Sequence, residues 1–184
     1  MSNGKERIVL GSGKLYVLLF TGNIPEDNII EQDANLIGAI QGGASLEYKM
    51  TTYTAVDDSG KHSKTIITDE EAVLKSGVMT WNGNTLKKLV ATARVNETES
   101  RRTVKIGGID NQNQDSYLVR FVHEDKKDGD IRVTLVGKNQ AGLTLAFVKN
   151  KETVVNAEFK AEACDDEGTL IIYEEEIVNE TSET

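Results

Sequence analysis

Residues 43–81 read G-A-S-L-E-Y-K-M-T-T-Y-T-A-V, then D-D-S-G-K-H, then S-K-T-I-I-T-D-E-E-A-V-L-K-S-G-V-M-T-W. Two extended arms flank a polar turn, the pattern of one long β-hairpin. The first arm has about twice the length of an average strand. Its inner half alternates, with Leu46, Tyr48 and Met50 on one side and Ser45, Glu47 and Lys49 on the other. The phase then slips. Thr51, Thr52, Tyr53 and Thr54 put threonine and tyrosine on both faces, and Tyr53 and Ala55 take the odd positions. A strand that loses its single apolar face has left the core or crossed a bulge. A lone two-stranded hairpin is marginal in water. The outer half therefore needs a further surface, and a second copy of the chain is the simplest source. A mobile loop tip is the competing reading.

Working outward, the chain reads as one domain over residues 1–184, with an ordered core over about 7–176, a polar N-terminal arm and an acidic C-terminal tail. A first strand covers about Lys14 to Phe20, and Thr21 to Asp33 forms a loop. Asn84 is placed to cap a short helix from Thr85 to about Arg94, because Leu86, Leu89, Val90 and Ala93 share one helical face. From Arg101 onward short alternating runs dominate. Thr103 to Ile106, then Tyr117, Val119 and Phe121, then Ile131, Val133 and Leu135 mark successive strands. Leu143, Leu145 and Phe147 form the next inward set. Val155, Ala157, Phe159, Ala161 and Ala163 follow, and a last strand covers Thr169 to Tyr173. Turns recur roughly every 8 to 12 residues, the mark of an antiparallel sandwich or barrel. The expected fold is mainly β: an antiparallel β-sandwich or small barrel with one flanking α-helix and a long protruding β-hairpin.

Composition narrows the function classes. Net charge is -9, which opposes the gripping of nucleic acid but not its free passage. Arg101-Arg102 and Lys126-Lys127 do not build a basic stripe. Cys164 stands alone, so an intrachain disulfide is excluded and a reducing compartment suits the chain. No apolar window approaches the roughly 20 residues of a membrane-spanning helix, and the first residues lack the apolar run of a signal peptide.

The motifs with chemical potential are weak. Gly11-Ser12-Gly13-Lys14 fails as a phosphate loop, since Ile8 stands at the first glycine position and Leu15 at the magnesium-binding hydroxyl. The run Asp110 to Asp115 departs from a calcium loop at Gln112, Gln114 and Asp115. Asp165, Asp166 and Glu167 read as a solvated turn ending at Gly168. His62 lies in the hairpin turn and His123 at a strand end, too few ligands for a zinc site. Trp81 reads as a core anchor closing the hairpin. No catalytic residue, metal site or cofactor is expected. A carboxylate pair of the glycosidase type stays open, although aromatic residues make up only 5% of the chain.

Several segments together resemble the major tail tube protein of long-tailed bacteriophages, over about Leu36 to Glu176. They are D-E-E-A-V-L-K-S-G-V-M-T-W-N at 69–82, N-T-L-K-K-L-V at 84–90, T-V-K-I-G-G at 103–108 and Y-L-V-R-F-V-H at 117–123. The likeness continues in G-D-I-R-V-T-L-V-G at 129–137, F-V-K-N-K-E-T-V-V-N-A-E-F-K-A at 147–161 and D-E-G-T-L at 166–170. It lies in their order and spacing. It implies a non-enzymatic structural subunit of the virion tail, assembled in the host cytoplasm into hexameric rings that stack as a hollow conduit for genome delivery. Strands from six subunits would close one inner barrel without free edges. Partners would be copies of the chain itself, a tape-measure protein, and tail terminator and tip proteins, with DNA passing through unbound and no membrane contact.

The resemblance gives residues 43–66 the grip on the adjacent ring. The candidate self-assembly residues are Met50, Thr51, Thr52, Tyr53, Thr54, Asp57, Asp58, His62 and Lys64. Glu158 and Glu162, on the polar side of the cleanest strand, are assigned to an acidic lumen. The tube of a contractile tail, a bacteriocin or a type VI-like injection system fits the same features. A monomeric β-sandwich ligand-binding module and a β-rich hydrolase are alternatives of other classes.

Overall fold

The computed structural model describes residues 9–178. The polar N-terminal arm and the end of the acidic tail lie outside them. Nine strands and two short α-helices follow in the order β1 (Lys14–Leu19), α1 (Asp27–Ile30), β2 (Ile40–Val56), β3 (Ser63–Val78), α2 (Gly83–Leu89), β4 (Arg94–Glu97), β5 (Arg102–Lys105), β6 (Tyr117–His123), β7 (Ile131–Asn139), β8 (Val155–Glu162) and β9 (Ile172–Glu175). The chain is mainly β and antiparallel. Its main sheet has seven strands in the order β1-β6-β7-β8-β3-β2, with β9 paired to β7; β4 and β5 form a separate ribbon.

β7 shares one edge between two partners. Its C-terminal half pairs with β8 and its N-terminal half with β9. The excursion between β8 and β9 is closed by the Cys164 amide on the Thr169 carbonyl, 2.9 Å away. The ends of the sheet are joined through residues 36–40. Leu36 bridges Tyr16 on β1. The Ile37 amide donates to Leu15, the Met79 amide donates to Ala39, and Ile40 pairs with Val78 on β3. The sheet therefore curls into a barrel-like wrap. Gly38 sits at this closure with φ near 140°, and a Cβ there would lie 1.9 Å from the Thr80 carbonyl oxygen. Only glycine fits such a conformation and approach.

The main core lies on the concave face. Leu15 and Val17 meet Tyr117 and Val119, Leu135, Leu74 and Val78, and Val155, Ala157 and Phe159. The alternation read from the sequence thus holds on β6, β7 and β8. Helix α2 covers this face with Leu86 and Leu89, and the β4–β5 ribbon adds Val104. Asn139 fastens the helix by donating to the Leu89 carbonyl at 2.7 Å, one of the unsatisfied acceptors of a helix end. Trp81 packs against the core and donates to the Thr153 carbonyl, as expected of an anchor.

Several expected boundaries move. The cap of α2 is Asn82, whose Oδ1 accepts from the amides of Asn84 and Thr85; Asn84 lies inside the helix, which ends at Leu89. Thr21 to Asp33 contains α1. Leu143, Leu145 and Phe147 do not form a strand. Leu143 and Leu145 lie on the core as a cover, and Phe147 is 78% exposed. Ala163 falls beyond β8 and is exposed.

The sheet has a second apolar face. Tyr16, Leu118, Val122 and Val136 are covered by Ile30 of α1 together with Leu18, Phe20, Ile24 and Leu36. The Y-L-V-R-F-V-H strand is thus buried on both sides, which explains its near-continuous apolar run. Phe159 is fully buried in the main core. Phe159→Ala is expected to lower unfolding free energy by about 3–5 kcal/mol, measured by urea denaturation, whereas Phe147→Ala should change it by less than about 0.5 kcal/mol.

Candidate functional site

The hairpin of β2 and β3 is the largest departure from a packed domain. β2 has 17 residues and β3 has 16. β3 pairs with β8 only from Val73 to Val78. Beyond Val73 the hairpin is a two-stranded ribbon, with β2 as its outer edge.

The phase slip read at Thr51–Thr52 corresponds to a register shift there. Thr51 faces Asp69 and Thr52 faces Ile67, so Thr68 is the extra residue. The bulge lies on β3, and Thr68 donates from its hydroxyl to the Thr51 carbonyl at 3.2 Å. A second shift falls between Gln41 and Ala44, where Gly42 and Gly43 both have φ near 75°. Two consecutive left-handed positions favour glycine, which explains the Gly42-Gly43 pair at the hairpin base.

The expected assembly residues sit on this ribbon. Met50, Thr51, Thr52, Tyr53 and Thr54 are exposed, and so are Val56, Ile66 and Ile67. Cross-strand partners share a face. Thr52 therefore stands with Ile67 on one side, and Tyr53 with Ile66 on the other. Both faces carry large apolar groups in water, with Tyr53 60% and Ile67 57% exposed. Thr54 and Thr65 hydrogen-bond through their hydroxyls at 2.8 Å. The turn is built by Asp57, whose carboxylate accepts from the His62 amide at 2.9 Å and from the Ser59 hydroxyl. The Ser59 contact leads in holding the Asp57 carboxyl below its ordinary range. Asp58 and Lys64 are exposed beside it.

Glu158 and Glu162 lie on the face of the sheet opposite the main core, as their register with Lys75 and Val136 requires. Each has a lysine partner. Lys75 bridges Glu47 at 3.4 Å and Glu158 at 3.7 Å. Lys160 bridges Glu71 at 2.9 Å, Lys138 bridges Glu162 at 3.6 Å, and Ser116 donates to Glu162 at 2.6 Å. The face is a ladder of paired charges. Lys75 leads in lowering the carboxyl of Glu47, and the Lys160 hydrogen bond does the same for Glu71.

The sequence reading missed a second ionic cluster. Arg120 is 2% exposed. Its guanidinium donates to Thr134 at 2.8 Å, to Asp27 and to Glu174, and stands 3.5 Å from Glu31. Arg132 donates to Glu31 at 2.7 Å and Glu176 at 2.8 Å. Those bonds, Glu31 first, hold Arg132 protonated. Two glutamates at the start of the acidic C-terminal tail, Glu174 and Glu176, thus fasten the β9 end to α1 through the arginines. Leu118 and Val122 flank Arg120 in the same strand direction and were the available signal of burial.

The remaining motifs are structural. A Cβ on Gly13 would lie 2.1 Å from the Val122 carbonyl, and Lys14 pairs with Glu124. Asp165 accepts from the amides of Glu167 and Thr169 within its own turn. His123 is buried with Nδ1 2.8 Å from the Ser12 carbonyl. Among the described residues no group of three or more His, Cys, Asp or Glu side chains is placed to hold a metal ion, and no helix is long and apolar enough to cross a membrane. No protein-family model and no curated protein matches the chain.

The acids around Arg120 are partly hydrated and the guanidinium is not, so the two sides of this cluster should respond differently. Removing the acids with Asp27→Asn, Glu31→Gln and Glu174→Gln together leaves a buried cation unpaired and should cost about 3–5 kcal/mol. Arg120→Met should cost clearly less, by urea denaturation. The Glu176 carboxyl is lowered from 4.5, chiefly by its hydrogen bond to Arg132. Its contribution is therefore present above the unfolded value and lost as pH falls through the folded one. Glu176→Gln should flatten the fall in thermal midpoint expected below about pH 4.5, measured by thermal denaturation across pH.

Proposed function

We propose that this chain is a non-enzymatic structural subunit that assembles with copies of itself into the stacked rings of a bacteriophage tail tube. One observation carries the reading: the β2–β3 ribbon beyond Val73 exposes large apolar side chains on both faces and has an unpaired outer edge. Exposed apolar surface and free strand edges are costly and prone to association, so their place on one projection marks a contact surface. A second copy is the natural partner for a tube built by repetition.

We assign the charge-paired face bearing Glu158 and Glu162 to the lumen. Phosphate binding draws its strength from cations that replace condensed counterions. Lys75, Lys138 and Lys160 already face carboxylates. Such a wall gives passing DNA few free cations to bind, without needing an excess of acid. The tape-measure, terminator and tip proteins of a tail are the further partners of this reading, and its site of action is the virion.

Deleting Val56–Ser63 is expected to leave the subunit folded and to abolish stacking. Circular dichroism should match the parent, and negative-stain images at high concentration should show tubes or rings for the parent and no tubes for the deletion. A parent that stays monomeric at every concentration, or tubes formed by the deletion variant, would contradict the proposal.

A further inference from the structure

The hairpin has two poles. Its turn, residues 57–62, is at one end, and its base, Ile40 with Val78, is at the other. At about 3.3 Å per residue, 17 residues separate them by roughly 50 Å. The base pole carries its own exposed apolar group. Phe147 is 78% and Val148 57% exposed, on a turn closed by the Lys151 amide on the Val148 carbonyl. Asn150 holds φ at 65° there.

This turn is anchored to the hairpin base. Thr153 donates from its hydroxyl to the Ala146 carbonyl at 2.7 Å, and Trp81 donates to the Thr153 carbonyl. Gln41 donates to Glu152. Beside it lies an open depression of about 420 Å³, lined among others by Gln41, Gly42, Gly43, Lys75 and Glu158. Charge is arranged in matching fashion. The tip places Asp57 and Asp58 on its β2 side and Lys61 and Lys64 on its β3 side; the base offers Lys149 and Lys151 beside Phe147.

We propose that the hairpin tip of one copy docks head to tail on the base pole of a second copy, with Phe147 against the exposed apolar groups of the ribbon. The inference rests on the self-assembly reading above and names its acceptor surface. Because the two surfaces differ and lie at opposite ends of the hairpin, the contact does not close on itself as a two-fold dimer would. Such a head-to-tail contact closes into a ring or propagates according to the rotation it imposes, and a stack requires that it propagate.

The test compares the full chain with Phe147→Ser, with Lys149→Glu plus Lys151→Glu, with Asp58→Lys, and with all three charge reversals combined. Sedimentation velocity and negative-stain imaging read assembly, and circular dichroism checks folding. Each one-sided variant should raise the concentration needed for polymer by about tenfold or more, and the combined reversal should recover part of the loss. Polymers of parental stability from the Phe147 and lysine variants, with the tip deletion still inactive, would overturn this acceptor surface while leaving self-assembly standing. A parent that never associates would overturn both.

Discussion

Every peptide unit in an extended strand offers a donor and an acceptor to each side alternately, and each must find a partner in the protein or in water. In residues 49–70 one side is satisfied by the hairpin itself and the other faces outward. A polar ribbon tolerates this, because water completes the bonding and the side chains are already solvated. This ribbon is not polar. Met50, Tyr53, Val56, Ile66 and Ile67 place apolar surface beside the open edge. The rest of the molecule holds that element out from the domain.

The holding is done by two separate devices. The concave core fixes the inner half of β3 through Leu74 and Val78 against Phe159 and Val155. The paired charges on the opposite face fix β2 and β8 to β3 through Glu47, Lys75 and Glu158. Each exposed pair contributes little alone. They keep that face hydrated and free of apolar groups. The Arg120 and Arg132 cluster acts farther off. It fastens α1 and β9 over the second apolar face, where Tyr16, Leu118 and Val122 would otherwise be exposed.

Much of this was legible in the residues. The long hairpin, the slip at Thr51–Thr52, and the alternation of Ile131–Leu135 and Val155–Ala161 follow from side-chain period, whereas Tyr117–His123, buried on both faces, shows a near-continuous apolar run. The failures have physical reasons too. Leu143 and Leu145 alternate like a strand, yet the period reports only which side chains face the core. It does not report whether the backbone finds a neighbour. Asn82 and Asn84 are equally good caps by type, and only the local geometry selects the first. Arg120 was not singled out, because its burial depends on residues 20–37 crossing a face remote in sequence. The lumen assignment of Glu158 and Glu162 named their shared face, but not the lysines that pair with them, since those come from β3 and β7.

The measurement closest to the central claim is hydrogen–deuterium exchange of the amides in residues 49–70 against protein concentration. The account predicts fast exchange at the outward-facing amides of β2 in dilute protein, and protection that grows as copies associate, with the Phe159 region protected throughout. Strong, concentration-independent protection of the whole ribbon in a monodisperse monomer would contradict it.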